Sequence, residues 1–267
     1  MTALALATLS RRRFALTART PRELVVPLLT PVLFAVVIAP ALKQALGGFR
    51  HGGVDYEAFV ATATIGLLIP LNTMFAGIGV IVDRENGARR ELLTAPIPRA
   101  LVVLGNLVVA LAVTGLQLGT LILAAVLRGV PFDASATGVA WFVGAAMLFA
   151  VGMYGVAETL ANRIPRQEEY VAAVPAVAIV PWFFAGSLFP ITALPTALAW
   201  FAKFLPLTHA LALIRYGLLG DHGAGLHDIW GMTNATAMAG LSLGVVGVFA
   251  AAFTAISIKV FTRSALR

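Results

Sequence analysis

Six long apolar runs dominate this chain, at 24–41, 58–82, 100–127, 138–156, 170–188 and 232–260. Each spans 18 residues or more with few or no charges, and about 20 helical residues suffice to cross the hydrocarbon layer of a bilayer. The runs are continuous and lack the alternating pattern of a lipid-facing strand, so they read as helices rather than barrel strands. A water-soluble core has no room for so much apolar surface: the chain is 60% hydrophobic and 12% charged, with a mean hydropathy of +0.92, against about 45–50% apolar and about 25% charged in ordinary soluble domains. The expected fold class is all-α, a polytopic membrane protein with six transmembrane helices over 24–267, preceded by a cytoplasmic segment over 1–23.

The basic residues set the orientation, because cytoplasmic flanks carry the excess of Lys and Arg. Arg11, Arg12, Arg13, Arg19 and Arg22 precede the first run; Arg84, Arg89, Arg90 and Arg99 follow the second; Arg163 and Arg166 follow the fourth; Lys259, Arg263 and Arg267 close the chain. The opposite side holds only Lys43, Arg50, Arg128, Lys203 and Arg215. Both termini are therefore expected in the cytoplasm, and the net charge of +7 follows from topology. The basic residues flank spans and build no continuous patch, so no nucleic-acid partner is implied. The absence of cysteine excludes disulfides and thiolate metal sites. The first run starts too deep, and is followed by too many others, to be a simple cleaved signal.

The segments between runs carry the functional signal. Leu4, Leu6, Leu9, Phe14 and Leu16 alternate with an arginine cluster, a composition suited to a helix lying in the membrane interface. The loop 83–99 is charged in its first half, where Glu85 pairs with Arg89 at helical spacing. Leu92, Leu93 and Ile97 then give it an apolar side before Pro96 and Pro98 stop the helix. The segment 189–228 is long for a free loop and too apolar for one, so short helices dipping into the outer leaflet fit it better.

The chain has no phosphate-binding loop of its own. Such a loop needs Gly-Lys followed by Ser or Thr, whereas Lys43, Lys203 and Lys259 are followed by Gln, Phe and Val, and none follows a glycine. No nucleophile–histidine–acid set, paired carboxylates or dinucleotide loop is evident, so no catalytic residue is assigned. His222 and His227 with Asp221 and Asp228 match no standard zinc spacing and read as a solvated loop.

Gly186-Ser187-Leu188-Phe189-Pro190, Leu194-Pro195, Leu205-Pro206-Leu207-Thr208-His209 and Leu213-Ile214-Arg215 together resemble a signature of the membrane (permease) subunits of type-2 ATP-binding-cassette exporters. The pattern is particularly similar to permeases that export nodulation factors and related lipo-oligosaccharides and to daunorubicin-type drug exporters. The entry to the first run through Arg19-Thr20-Pro21-Arg22 resembles the same family. The resemblance implies a cytoplasmic coupling helix with Glu85, Gly87, Leu92, Leu93 and Pro96 at its matching positions, joined here by Arg89. It also implies an outer gate of re-entrant helices between spans five and six, with Phe189, Pro190, Pro195, Pro206, Thr208, His209 and Arg215. Because family permeases place their second and fifth spans at the dimer axis, Asn72, Met74, Phe75, Trp182, Phe183 and Phe184 become candidates for the substrate path.

Further implications of the resemblance are two copies of an ATPase subunit that bring ATP and Mg, a second permease, identical or paralogous, and a bacterial cytoplasmic membrane. The implied cargo is a hydrophobic or amphiphilic, drug-like or lipid-linked substrate, as in antibiotic resistance. Polar residues within spans usually face protein or a cavity. Asn72, Thr73, Gln117 and Glu158 therefore read first as helix-to-helix contacts, Glu158 snorkelling or pairing with Arg163. Two other functions compete: a proton-coupled secondary transporter, which wants ionisable groups near the bilayer midplane, and a non-transporting membrane scaffold, which gives the two structured loops no purpose.

Overall fold

The computed structural model describes residues 2–19, 25, 29, 32–33, 36–37, 40–41, 44, 50–51, 54–220 and 222–264. Most of the first apolar run, with Pro27 and Pro31, lies outside the described residues, as do Arg22, Lys43, Asp221 and Arg267. Helix α1 (Thr2–Ala18) opens the chain. A two-residue antiparallel pair, β1 (Arg50–His51) and β2 (Val54–Asp55), leads into α2 (Tyr56–Glu85). Then follow α3 (Ala88–Thr94), α4 (Arg99–Leu127), α5 (Ala136–Ala161) and α6 (Gln167–Phe184). A 3-10 turn (Ile191–Ala193) precedes α7 (Thr196–Phe204), α8 (Pro206–Leu218), α9 (Ala224–Trp230) and α10 (Ala235–Ser264).

Four helices, α2, α4, α5 and α10, are long and apolar enough to cross a membrane, and a fifth span results if α7 and α8 count as one broken helix. The expected six spans are thus met only in part among the described residues. The fifth apolar run forms α6, which is 18 residues long and begins with Gln167, Glu168 and Glu169. At 1.5 Å per residue it reaches about 27 Å, and its polar first turn leaves little apolar length for the hydrocarbon.

Helix α2 is the central post, buried around nearly its whole circumference from Tyr56 to Met74. Pro70 removes one amide from its hydrogen-bond ladder, and the Thr73 hydroxyl donates to the carbonyls of Ile69 and Pro70 at 2.9 and 3.1 Å. Helix α5 is the hub, packing against α10, α2 and α8. Glycines allow the closest of these approaches: a Cβ on Gly155 would come within 2.6 Å of the Phe253 backbone, and one on Gly138 within 2.3 Å of the Gly217 carbonyl. Without a hydrophobic drive between helices in lipid, such small residues let backbones touch. Ser135 starts α5 by accepting from the Gly138 amide at 3.0 Å, and Asn234 caps α10 the same way through Ala237.

Candidate functional site

The hairpin expected on the cytoplasmic side is built from a broken helix. Helix α2 ends at Glu85, the chain turns at Asn86-Gly87 with Gly87 at φ 77°, and α3 begins at Ala88. That left-handed corner favours glycine. It also removes the helical spacing on which a Glu85–Arg89 pair depends, and the pair is not formed. Glu85 is exposed, while Arg89 turns inward, donating to the Ser264 hydroxyl and lying over the Phe261 ring at 5.1 Å. Burial pulls the Arg89 guanidinium below the usual arginine range, Arg84 adds to that, and Glu158 opposes it.

Two more arginines frame the hairpin. Arg84 donates to the carbonyls of Ala161, Ile164 and Pro165 at 3.0, 3.0 and 2.7 Å, satisfying the end of α5 where the helix dipole is negative. Arg99 reaches the Thr262 carbonyl in α10 at 3.4 Å. Leu92, Leu93 and Ile97 are half-buried and pack on a cluster of Val102, Val103, Leu107 and Phe261 within the same chain. The exposed side of the hairpin is Glu85, Asn86, Arg90, Glu91, Thr94 and Pro96.

Helix α1 is latched to the same corner. Arg12 donates through both Nη atoms to Asp83 at 3.3 and 3.1 Å, and Arg13, 9% exposed, lies 3.7 Å from the same carboxylate. Arg13 also donates to the Ala76 carbonyl at 3.3 Å, its guanidinium filling the space over Gly79. Sequence reasoning missed this clasp, although Asp83 is the first acidic group after the second apolar run.

In the segment expected on the outer side, α7 and α8 meet at 81°, with Pro206 at the first position of α8, where its missing N–H costs nothing. Helix α8 is buried over most of its length, whereas α7 exposes Trp200, Phe201 and Phe204. Among the expected gate residues, Pro190, Thr208, His209 and Arg215 are buried, Phe189 is 40% exposed and Pro195 is exposed. His209 donates from Nε2 to the Lys203 carbonyl at 2.9 Å, which leaves Nδ1 to accept from Ser242 at 3.2 Å. Arg215 is the keystone. It donates to the carbonyls of Gly186 (2.8 Å), Ser187 (3.0 Å) and Phe59 (3.4 Å) and to the Thr62 hydroxyl (3.2 Å), and its guanidinium lies 3.5 Å from the Phe59 ring centroid. One side chain thereby ties α8, the turn after α6 and the outer end of α2.

The candidate path residues do not converge on one conduit. Asn72 donates to Thr114 at 2.6 Å and so joins α2 to α4. With Phe75 it lines a cleft shared with Arg13, Thr17, Asn106 and Tyr154. Met74 and Trp182 are locked in packing: the Met74 carbonyl accepts from Tyr170 at 2.7 Å, and Trp182 Nε1 donates to the Ala63 carbonyl at 2.8 Å. Phe183 faces outward at 51% exposure, and Phe184 stacks edge-on with Phe201. A separate apolar cavity of about 170 Å³ forms where Pro70, Pro181 and Pro206 come together with Phe149, Met153 and Phe249.

Glu158 neither snorkels nor pairs with Arg163. It is fully buried, accepting from the Tyr154 hydroxyl at 2.7 Å and from Asn162 at 3.0 Å, because α5 turns its face toward protein rather than solvent. The histidine-rich stretch is in part a short helix, α9, which buries Leu226 and Ile229 and leaves His227 exposed; His222 precedes it in a turn at φ 51°. Among the described residues no cluster of His, Cys, Asp and Glu could hold a metal ion.

The described residues thus make a helical protein with several apolar helices long enough to cross a membrane, a short helical hairpin after α2 and a sharply bent helix pair, α7 and α8. The family model described as ABC-2 type transporter matches residues 5–219, and the chain belongs to that family. It is 24% identical over 210 residues to the protein described as transport permease ycf38 of Porphyra purpurea, covering 78% of this chain and 72% of that one. It is 28% identical over 204 residues to nodulation protein J of Rhizobium leguminosarum bv. viciae, covering 72% and 73%. It is 25% identical over 202 residues to the linearmycin resistance permease protein LnrN of Bacillus subtilis, covering 73% and 50%. The chain is thus a permease-type membrane subunit, and membership of this family implies association with an ATPase subunit.

Proposed function

We propose that this chain is the permease half of an ATP-driven exporter that moves a hydrophobic or amphiphilic, drug-like or lipid-linked substrate outward across the bacterial cytoplasmic membrane. The family match over 5–219 carries this reading. The outward direction and the substrate class draw on the similarity to a linearmycin resistance permease and to nodulation protein J. In this reading six spans cross the membrane with both termini in the cytoplasm, and two permeases, identical or paralogous, pair with two ATPase subunits that bring ATP and Mg.

The hairpin 83–99 receives the ATPase, and α7 with α8 forms the outer gate. The inward packing of Leu92 and Leu93 supports a division of labour, in which the leucines seat α3 while Glu85, Arg90, Glu91 and Pro96 meet the partner. Proton coupling fits less well, since Glu158 sits near the cytoplasmic end of α5 with both carboxylate oxygens engaged.

The test is purification of the tagged chain from membranes of its host. An ATP-binding-cassette ATPase should co-purify, and ATP turnover should appear in the complex and be absent from the stripped chain. Hydrolysis by the isolated chain, or no ATPase partner, overturns the reading. Tags at residue 1, between Arg89 and Arg90, and at residue 267 should be shielded from outside reagents, while tags near Gly48 and Gly223 should be labelled.

A further inference from the structure

Helix α1 does not close fully on α2. Between them lies a cleft of about 280 Å³, lined by Arg12, Arg13 and Thr17 of α1, by Gly79 and Asp83 of α2, and by Asn86 at the hairpin corner. Two guanidinia share one carboxylate here. Arg12 takes both Asp83 oxygens, at 3.3 and 3.1 Å, while Arg13 approaches the same group only to 3.7 Å, beyond hydrogen-bond reach. Arg13 is left with a single hydrogen bond, to the Ala76 carbonyl at 3.3 Å, although it is only 9% exposed. Most N–H donors of the pair therefore have no protein acceptor among the described residues. The charge of Glu158 reaches Arg13, but that carboxylate is engaged by Tyr154 and Asn162 and lines no part of the cleft. The cleft thus holds two cations against one anion, and a buried cation in that condition is costly unless a further anion meets it.

The seat of Arg13 is specific. A Cβ on Gly79 would collide with its guanidinium, so the bare glycine backbone is what admits it. The depth is specific as well. Asp83 directly follows the second apolar run, and α1 beside the cleft exposes Phe14 and Leu16 together with Arg11 and Arg19. Apolar and basic groups side by side at the end of a span mark the headgroup level of a bilayer, where lipid phosphates lie.

We propose that the cleft between α1 and α2 binds a phosphate group, supplied by the headgroup of an anionic lipid and held by Arg13 and Arg12. Guanidinium donors match phosphate oxygens in charge and geometry, and the bound lipid fastens α1 to the base of α2 beside the hairpin. The site rests on reading α2 as a membrane span and needs nothing of the ATPase.

Thermal unfolding of the purified chain in phosphatidylcholine-containing detergent micelles, with and without phosphatidylglycerol at fixed ionic strength, tests it. Phosphatidylglycerol should raise the melting temperature of the wild type by about 5 °C. Gly79→Ala keeps every charge but unseats Arg13, and Arg12→Gln leaves one guanidinium to one carboxylate; each should lose about half of that increment or more. Arg11→Gln removes the same charge from the exposed side of α1 and should keep the increment within about 1 °C. Each increment is read against the variant's own phosphatidylcholine baseline, so a merely structural role for the clasp lowers the baseline and leaves the increment. No phosphatidylglycerol effect in the wild type, an undiminished increment in Gly79→Ala, or an equal loss in Arg11→Gln overturns the proposal. Should Gly79→Ala fail to fold, Arg12→Gln set against Arg11→Gln decides in the same way. Inorganic phosphate added to phosphatidylcholine micelles should give no comparable shift, and an equal one overturns the lipid as the source. A failed exporter reading shows instead as a missing ATPase partner.

Discussion

The two ends of this molecule both use arginine to grip backbone carbonyls, under opposite conditions of solvation. At the hairpin end three half-buried arginines share the work: Arg84 holds carbonyls at the end of α5, while Arg99 and Arg89 both reach the end of α10, at the Thr262 carbonyl and the Ser264 hydroxyl. At the opposite end of α2 the buried Arg215, 6% exposed, holds the carbonyls of Gly186, Ser187 and Phe59, the Thr62 hydroxyl and the Phe59 ring, while the exposed Arg128 touches the Val36 carbonyl at 3.2 Å. Shared, wet contacts exchange readily with water and are individually weak, whereas a desolvated fork is strong and leaves several groups stranded when lost. The hairpin is thus attached by several half-buried contacts, whereas the turn after α6 is fastened to α2 and α8 through one buried guanidinium.

The largest effect should come from breaking that fastening. Arg215→Ala strands the carbonyls of Gly186 and Ser187 and should cost about 3 kcal/mol. The melting temperature of the solubilised chain should then fall by roughly 5–10 °C. Arg215→Lys should recover less than half of the loss, since an ammonium cannot make the fork. A fall of under about 2 °C for the alanine variant would mean that the outer end is as redundant as the inner one.

Next comes the double change Leu92→Asp with Leu93→Asp. Charges placed against Val102, Val103 and Phe261 should cost about 2–4 kcal/mol locally and abolish protection of α3 and capture of the ATPase together. If protection survives while the ATPase is lost, the leucines face the partner rather than their own chain. Arg84→Ala should be milder, about 1–2 kcal/mol, and should show as faster exchange at 160–165 with α3 little changed. The smallest effect on the fold belongs to Glu85→Arg with Glu91→Arg, two exposed positions. Stability should stay within about 0.5 kcal/mol while ATPase co-purification drops several-fold, which would mark the polar face of the hairpin as the docking side.

Much of the architecture was legible because length and hydropathy act through the lipid. The second, third, fourth and sixth apolar runs became α2, α4, α5 and α10, each within a few residues of its expected bounds. Pro190, Pro195 and Pro206 marked real breaks in the outer segment. What misled was pairing at a distance. Spacing placed Glu85 beside Arg89, but one left-handed residue, Gly87, ended the helix between them. The Leu92-Leu93 pair carried an apolar side without revealing whose surface it covers. Glu158 was matched to Arg163 by nearness in sequence, while its partners Tyr154 and Asn162 lie one turn away on the buried side of the same helix. Arg215 was singled out, but nothing local announces that it binds Phe59 and Thr62, more than 150 residues earlier.

The glycine seam between α5 and α10 sets where this protein bends. A Cβ on Gly152 would overlap the Phe249 ring at 2.4 Å, and one on Gly155 would overlap the backbone of Phe253 and Thr254 at 2.6 and 2.9 Å. Helices in backbone contact at two successive turns form a stiff spar, because rotating either about its axis drives atoms into atoms. Hinges must therefore lie at places with clearance. Gly87 has no atom within 4 Å of where its side chain would be, and the corner between α7 and α8 is open on the face of Trp200 and Phe204. Under the exporter reading, a stroke delivered at the Gly87 corner would meet α5 and α10 as one stiff body, and would pass on as their joint displacement rather than by their internal deformation.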